Sequence, residues 1–489
     1  MKMPLPKPRS WKKWTRISPR LLPFADVASV DLPLLRLFQL SLFQVSVGMA
    51  TALLIGTLNR VMIVELGVGA WLVSLMVALP LVFAPFRALV GFKSDTHRSV
   101  LGWRRVPYIW IGTLLQFSGL SIMPFALILL SGDSSWPAWV AHVAAALGFL
   151  LVGAGLQTTQ TAGLALATDI APEASRPRVV AMMYAMLLVG MVVSGLVFGV
   201  LLDQFSQIKL IQVIQGAAGV TVVLNVIALW KQEVRQPHKT AAAIARPDFK
   251  TSWQTFSKQP NTLRFLIALG LGTAAFSMQD IILEPYGGEI LGLSVGATTM
   301  LTALMAAGAL TAFALSARLL SRGMNAYRLA AYGLVAGLFA FSAVIFSEPL
   351  GSATLFRVGA TLIGFGGGLF SVGTLTAAMG LESHDTAHGF GSSGLVLGAW
   401  GAVHATATGV SIALGGAIRD GVSSLATQGL IGSALNSNAI GYSFVYHLEL
   451  YMLFATLIAI GPLVRASRDT AKESSSTSAS KFGLAEFPG

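Results

Sequence analysis

Phe276-Ser-Met-Gln-Asp-Ile-Ile-Leu-Glu-Pro-Tyr-Gly-Gly-Glu-Ile-Leu-Gly-Leu-Ser-Val-Gly-Ala297 closes one long apolar run and opens another. Between them it places Asp280, Glu284 and Glu289, in a chain of which only 11% is charged. Carboxylates at the edge of a hydrocarbon-length segment are costly unless they find a partner, a wet cavity or an interfacial position. The end of the stretch, Leu291-Gly-Leu-Ser-Val-Gly-Ala297, has a counterpart in Leu66-Gly-Val-Gly-Ala70, which opens an earlier apolar run. A second pair matches as well. Gly155-Leu156 precedes Asp169 as Gly368-Leu369 precedes Glu382, with the same offset along the chain.

Composition sets the frame for this repeat. The 489 residues are 54% hydrophobic and include 51 glycines, with a mean hydropathy of +0.71. A soluble chain of this length would need far more surface charge. Apolar runs of about 20 residues, enough to cross a hydrocarbon core of about 30 Å, recur throughout. The chain contains no cysteine, which excludes disulfides, zinc–thiolate sites and iron–sulfur clusters. Its net charge of +12 reads as membrane topology, with no nucleic-acid partner.

Twelve spans are expected, near 37–58, 70–92, 107–130, 139–167, 179–202, 208–230, 263–284, 295–318, 327–346, 353–379, 394–417 and 444–464. Of the 33 Lys and Arg residues, only Arg60, Lys209, Arg357 and Arg419 fall on the side opposite the termini. The positive-inside rule therefore predicts that both termini are cytoplasmic. A basic arm (1–36), a six-helix bundle (37–230), a cytoplasmic linker (231–262), a second six-helix bundle (263–465) and a disordered tail (466–489) complete the expected order. No cleavable signal is expected at the start. An all-α polytopic chain with parallel six-helix repeats is the pattern of the major facilitator fold.

Charged motifs flank the spans. Gly91-Phe-Lys-Ser-Asp95, followed by Gly102-Trp-Arg-Arg105, and Asp169-Ile-Ala-Pro-Glu173-Ala-Ser-Arg176 after the fourth span resemble facilitator loop signatures. Gly91, Asp95, Arg104, Arg105, Asp169 and Arg176 are thus expected to latch helices on the cytoplasmic side and not to touch a ligand. Gly364-Phe-Gly-Gly-Gly368 has neither a preceding strand nor a following Lys-Ser/Thr, so it reads as close helix packing and not as a phosphate loop. No Walker sequence supports ATP-driven transport. No acid is expected at the middle of any span, which argues against a proton relay.

Histidine is the remaining chemistry. His404 lies near the middle of the eleventh span, with Trp400 one turn away on the same face and small residues around it. A neutral imidazole there could ligate a metal, including the magnesium of a chlorin ring. From the residues alone, an imidazole bonded to Thr408 or to a facing carbonyl is the simpler account. His142 and His447 read as interfacial. His384 and His388, in a loop with Asp385, read as a solvent segment. Asp280, Glu284 and Glu289 are placed by span counting on the non-cytoplasmic rim. Asp280 and Glu284 are expected on one face, with Arg60 as a clamp to another helix, forming a gate or partner contact.

Several strings resemble those of the PucC/LhaA-type bacteriochlorophyll delivery branch of the major facilitator superfamily. They are Leu42-Phe-Gln-Val-Ser-Val-Gly-Met49, Gly56-Thr-Leu-Asn-Arg-Val-Met-Ile-Val-Glu-Leu-Gly67, Leu79-Pro-Leu-Val-Phe-Ala-Pro-Phe-Arg87, Ser94-Asp-Thr-His-Arg98, Gly102-Trp-Arg-Arg-Val-Pro-Tyr-Ile-Trp110 and Gln279-Asp-Ile-Ile-Leu-Glu-Pro-Tyr-Gly-Gly288. The resemblance covers about residues 35–465. It implies a non-enzymatic assembly factor of a purple phototrophic bacterium, in the inner or intracytoplasmic photosynthetic membrane. Such a factor would bind bacteriochlorophyll a, with carotenoid as a further candidate, and support delivery to nascent light-harvesting polypeptides. Bacteriochlorophyll synthase, reaction centre, translocon and a second copy of the chain are implied as further partners. A proton-coupled transporter of an amphipathic small molecule, using Asp280 and Glu284, is the alternative.

Overall fold

The computed structural model describes residues 34–82, 103, 105–132, 136–171, 176–230, 232, 261–382, 393–430, 432 and 436–474. Their regular structure is helical throughout. Twelve chain-ordered helices result: α1 (Leu34–Thr51, continued by Ala52–Leu58 and Val61–Glu65), α2 (Ala70–Val82), α3 (Val106–Leu130), α4 (Ala138–Ile170), α5 (Arg176–Leu201) and α6 (Gln207–Leu229) form the first six. The last six are α7 (Thr262–Glu289, in three segments), α8 (Val295–Ser321), α9 (Ala326–Ser347), α10 (Ala353–Glu382), α11 (Ser393–Thr427) and α12 (Ala439–Ser474). Eleven are long and apolar enough to cross a membrane, and the described part of α2 is a shorter apolar helix. Each of the twelve expected spans is therefore helical where it is described, the second over Ala70–Val82. The arm, most of the linker and residues 475–489 lie outside the described residues. α12 runs on as helix to Ser474, so the part of the expected disordered tail that is described is helical.

Apolar side chains do not drive helices together inside lipid, so close contact must come from small residues and interhelical hydrogen bonds. Both are present. A Cβ at Gly112 of α3 would stand 2.9 Å from the Gly155 carbonyl of α4, and one at Gly155 would stand 2.6 Å from that of Gly112. The Gly364–Gly368 run packs on two helices: a Cβ at Gly364 would fall 1.9 Å from the Met305 carbonyl of α8, and one at Gly366 would fall 2.7 Å from the Gly333 carbonyl of α9. Polar bonds join helices where the chain carries lone amides. Gln116 donates to Thr159 at 2.8 Å, and Asn225 donates to Thr113 at 2.9 Å while its oxygen accepts from Ser46.

Within the first six helices α3 packs on α4, and α1 on α5 and α6. Within the last six α10 packs on α8 and α9, and α7 on α11 and α12. Across the two sets α2 lies on α11 and α5 on α8. α1 and α7 cross the protein with irregular segments at the same end. α1 widens into π-helical turns over Ala52–Leu58 and Val61–Glu65, a feature that gathers at functional positions. α7 is α-helical to Ser277, tightens into a 3₁₀ turn over Met278–Ile281, and resumes over Leu283–Glu289.

The break in α7 corrects the expected helix end. Pro285 and Gly287-Gly288 do not stop the helix. The backbone breaks earlier, so Pro285 falls in the first turn of a new segment, where its missing N–H has no bond to lose. The glycines are explained by contact: a Cβ at Gly288 would stand 2.7 Å from the Arg60 guanidinium.

Candidate functional site

At the irregular end of α1 and α7, charged side chains tie the two sets of helices together. Arg60 is buried, at 4% exposure. It pairs with Glu65 and donates to the Leu293 carbonyl at 3.3 Å. Beside it, Asn59 donates to the Asp280 carbonyl at 3.2 Å, and Thr57 meets Thr299 at 3.2 Å. Glu284 accepts from Thr302 of α8. Arg60 is thus a clamp, although its ion pair is with Glu65 and not with Asp280 or Glu284.

Glu289 belongs to a second network. It accepts from Arg419, from the Tyr442 hydroxyl at 2.6 Å and from the Asn438 amide at 3.0 Å. Arg419 lies 4.3 Å over the Tyr442 ring and bonds Asp420 at 2.7 Å. The other Asp420 oxygen accepts from the Trp71 backbone N–H at 2.8 Å, joining α11 to the start of α2. In the sequence Arg419 stands out only as one of the four basic residues on the side opposite the termini, and Asp420 not at all. The signal that would have singled them out is their place near the end of an apolar run, beside small residues that let α2 approach: a Cβ at Gly416 would stand 2.5 Å from the Ala70 carbonyl.

The expectation that Asp280 and Glu284 share a face does not hold. The break at Met278–Ile281 turns them to different neighbours. Glu284 faces α1 and α8, while Asp280 accepts from the Gln279 amide and lies toward Glu449 of α12. Glu289 closes α7 at the rim, as expected, but Asp280 does not lie there. Asp280 lies nine residues before the end of α7, a depth of about 13 Å at 1.5 Å per residue.

Glu449 is deeper still and was missed in the sequence. It is fully buried, and neither carboxylate oxygen has a hydrogen-bond partner among the described residues. The backbone of Gln279 approaches it outside hydrogen-bonding geometry. α12 begins at Ala439, more than a turn before the expected span. That start places Glu449 about 15 Å along the helix. The expectation that no span carries an acid near its middle is therefore overturned.

His404 and Trp400 come together as the helical spacing predicts. Their ring centroids are 5.0 Å apart and their planes are inclined by 28°. Trp400 is held by a hydrogen bond from its indole N–H to Thr374 of α10, at 3.3 Å. Ala402, Thr406 and Val410 form the exposed face of α11, and His404 lies across the helix from them at intermediate exposure. The expected bond to Thr408 is absent, since that hydroxyl meets Ser277 of α7 at 3.4 Å. Neither imidazole nitrogen has a hydrogen-bond partner among the described residues.

Of the expected cytoplasmic latch, Arg105 and Asp169 do pair, at 3.0 Å. Gly91, Asp95, Arg104 and the Arg176 side chain lie outside the described residues, as do His384 and His388. His447 is accounted for locally by the Ser443 carbonyl, 2.7 Å from its Nδ1. His142 lies near the start of α4.

Twelve helices in this order among the described residues, with charged contacts joining α1 to α7–α8 and α2 to α11, define a polytopic membrane protein of the transporter-like facilitator class. A solved bacterial homologue of the iron transporter ferroportin, in an inward-facing state, shares the fold. Its TM-score is 0.62 at 14% identity, over 88% of this chain and 98% of that one. The chain belongs to the PUCC protein family, whose model matches residues 57–468. It is 57% identical to "Protein PucC" of Rhodovulum sulfidophilum over 83% of this chain and 89% of that protein. It is 53% identical to an "Uncharacterized protein in puhA-bchM intergenic region" of Rhodobacter capsulatus, over 96% and 97%. A more distant relative from Rhodobacter capsulatus, 27% identical over 79% and 87%, is named "Bacteriochlorophyll synthase 44.5 kDa chain".

Proposed function

We propose that this chain binds bacteriochlorophyll inside the membrane and supports its delivery to nascent light-harvesting polypeptides, acting by binding and not by catalysis. The observation that carries this is His404: an imidazole in the membrane-spanning part of α11, stacked on Trp400, with both nitrogens unengaged among the described residues. A chlorin magnesium takes a neutral imidazole nitrogen as an axial ligand. Trp400, pinned by Thr374, would hold that ring in position, as partners around a ligating histidine do. Handover within the bilayer spares a long apolar tail from water.

Bacteriochlorophyll a is the pigment this reading assigns, with carotenoid, bacteriochlorophyll synthase, reaction centre, translocon and a second copy as further contacts. The bacteriochlorophyll named in the distant relative agrees with it. The membrane is the bacterial inner or intracytoplasmic one, with both termini cytoplasmic, which rests on the distribution of Lys and Arg. Protein extracted in mild detergent from phototrophic cells is expected to be coloured, and His404→Ala to lose most of the colour. Colourless wild-type protein would refute the reading.

A second function is favoured by a specific observation. Asp280 and Glu449 are acids at depth, and intramembrane acids mark proton relays in secondary transporters. On that account the chain moves an amphipathic solute against a proton. Uptake into vesicles that needs a proton gradient and is lost in Glu449→Gln would establish it.

A further inference from the structure

We infer that the lateral face between α5 and α6 is a binding groove for one hydrocarbon chain of an anionic membrane lipid, with Lys209 holding the headgroup. The two helices are consecutive, yet they scarcely touch and lie instead side by side on α1. Between them is a cavity of about 520 Å³, floored by Val45 and Met49 and walled by Val197 and Val220. Part of the opening comes from Gly216, where a Cβ would meet nothing within 4 Å. Lipid-facing helices normally close such gaps with side chains, because a void forfeits dispersion contacts. A gap left open beside glycine is therefore space for an occupant.

The size of the groove selects among occupants. It follows α6 from Lys209 to Leu224, about 22 Å at 1.5 Å per residue. Spread over that length, the cavity has a mean cross-section of about 24 Å², enough for one polymethylene chain. A helix about 10 Å across needs roughly three times as much, so a client polypeptide does not fit. The length spans one leaflet of a hydrocarbon core about 30 Å thick, with some to spare.

Charge selects the headgroup. Only four basic residues lie at this end of the helices. Arg60 is committed to Glu65, and Arg419 to Glu289 and Asp420; Arg357, near the start of α10, does not line this groove. Lys209 has no ion-pair partner among the described residues and stands at the mouth of the groove with Gln212. A cation above an apolar slot fits an amphiphile with a negative head. An esterified pigment is neutral: its carbonyls can accept a hydrogen bond from that lysine, but it carries no anionic group to pair with the charge.

The test uses the full chain, delipidated and reconstituted in nanodiscs of phosphatidylcholine with a minor fraction of phosphatidylglycerol, then analysed by native mass spectrometry. Wild-type protein is expected to retain one phosphatidylglycerol in preference to phosphatidylcholine. Lys209→Gln should weaken that preference about fivefold, the scale of one cation beside an anionic headgroup. Gly216→Phe should fill the slot and abolish retention while its melting temperature stays within a few degrees of wild type. Because the groove is independent of the pigment site, His404→Ala should leave lipid retention unchanged. Retention in the ratio supplied, retention that survives Gly216→Phe, or loss of pigment in place of lipid from Gly216→Phe would overturn the assignment.

Discussion

His404 and Glu449 are two intramembrane groups with opposite histories. The i, i+4 relation of Trp400 and His404 depends only on helical geometry, so their stacking could be read from sequence. Whether the imidazole was engaged could not, because that depends on Thr408 choosing Ser277 on another helix. Glu449 was lost to a boundary: an expected start at 444 put it near the membrane edge, whereas the helix starts at Ala439. A buried carboxylate without hydrogen-bond partners is an expense to the fold. If the protein works by binding, Glu449→Gln should raise thermal stability by about 1 kcal/mol and leave pigment content unchanged. A fall in stability would show that Glu449 has a native partner. Trp400→Leu should lower pigment occupancy less than His404→Ala does, measured as the ratio of red-band absorbance to protein.

At the scale of elements, the glycine run of α10 was readable and the break in α7 was not. Gly364-Phe-Gly-Gly-Gly368 lacked every neighbour that a phosphate loop requires, so packing was the remaining role, and the backbone approaches agree. Gly364→Ala should cost about 1–3 kcal/mol, since its new methyl meets the Met305 carbonyl with no side chain able to give way. Equal melting temperatures would contradict that packing. In α7, Pro285 and the paired glycines are the usual terminators, yet tertiary contacts override them: Arg60 on Gly288 and Phe356 on Gly287. Arg419 links that terminal segment to α11 and α12. Arg419→Ala would leave Glu289 and Asp420 without their cation, at a cost of about 2 kcal/mol, somewhat below that of a fully buried pair. A double variant with Glu289→Gln should recover part of the loss.

For the whole molecule, hydropathy carried most of the fold. Twelve expected spans correspond to twelve helices, because a lipid-exposed backbone must satisfy its hydrogen bonds internally and helices do so. The partnership of helices was less accessible: that α2 meets α11 and α5 meets α8 depends on side chains far apart in the chain. Sidedness follows from charge alone, and the lack of native cysteine makes it simple to test. Asp203→Cys, on the α5–α6 turn, should react with an impermeant thiol reagent added outside intact cells, and Arg322→Cys, on the α8–α9 turn, only after the membrane is opened. The reverse pattern would invert the topology. The central claim, that the chain is a pigment-binding assembly factor built on a transporter fold, rests on one quantity: the bacteriochlorophyll content of the purified wild-type protein. The account predicts at least one pigment per chain, falling several-fold in His404→Ala, and pigment-free wild-type protein would contradict it.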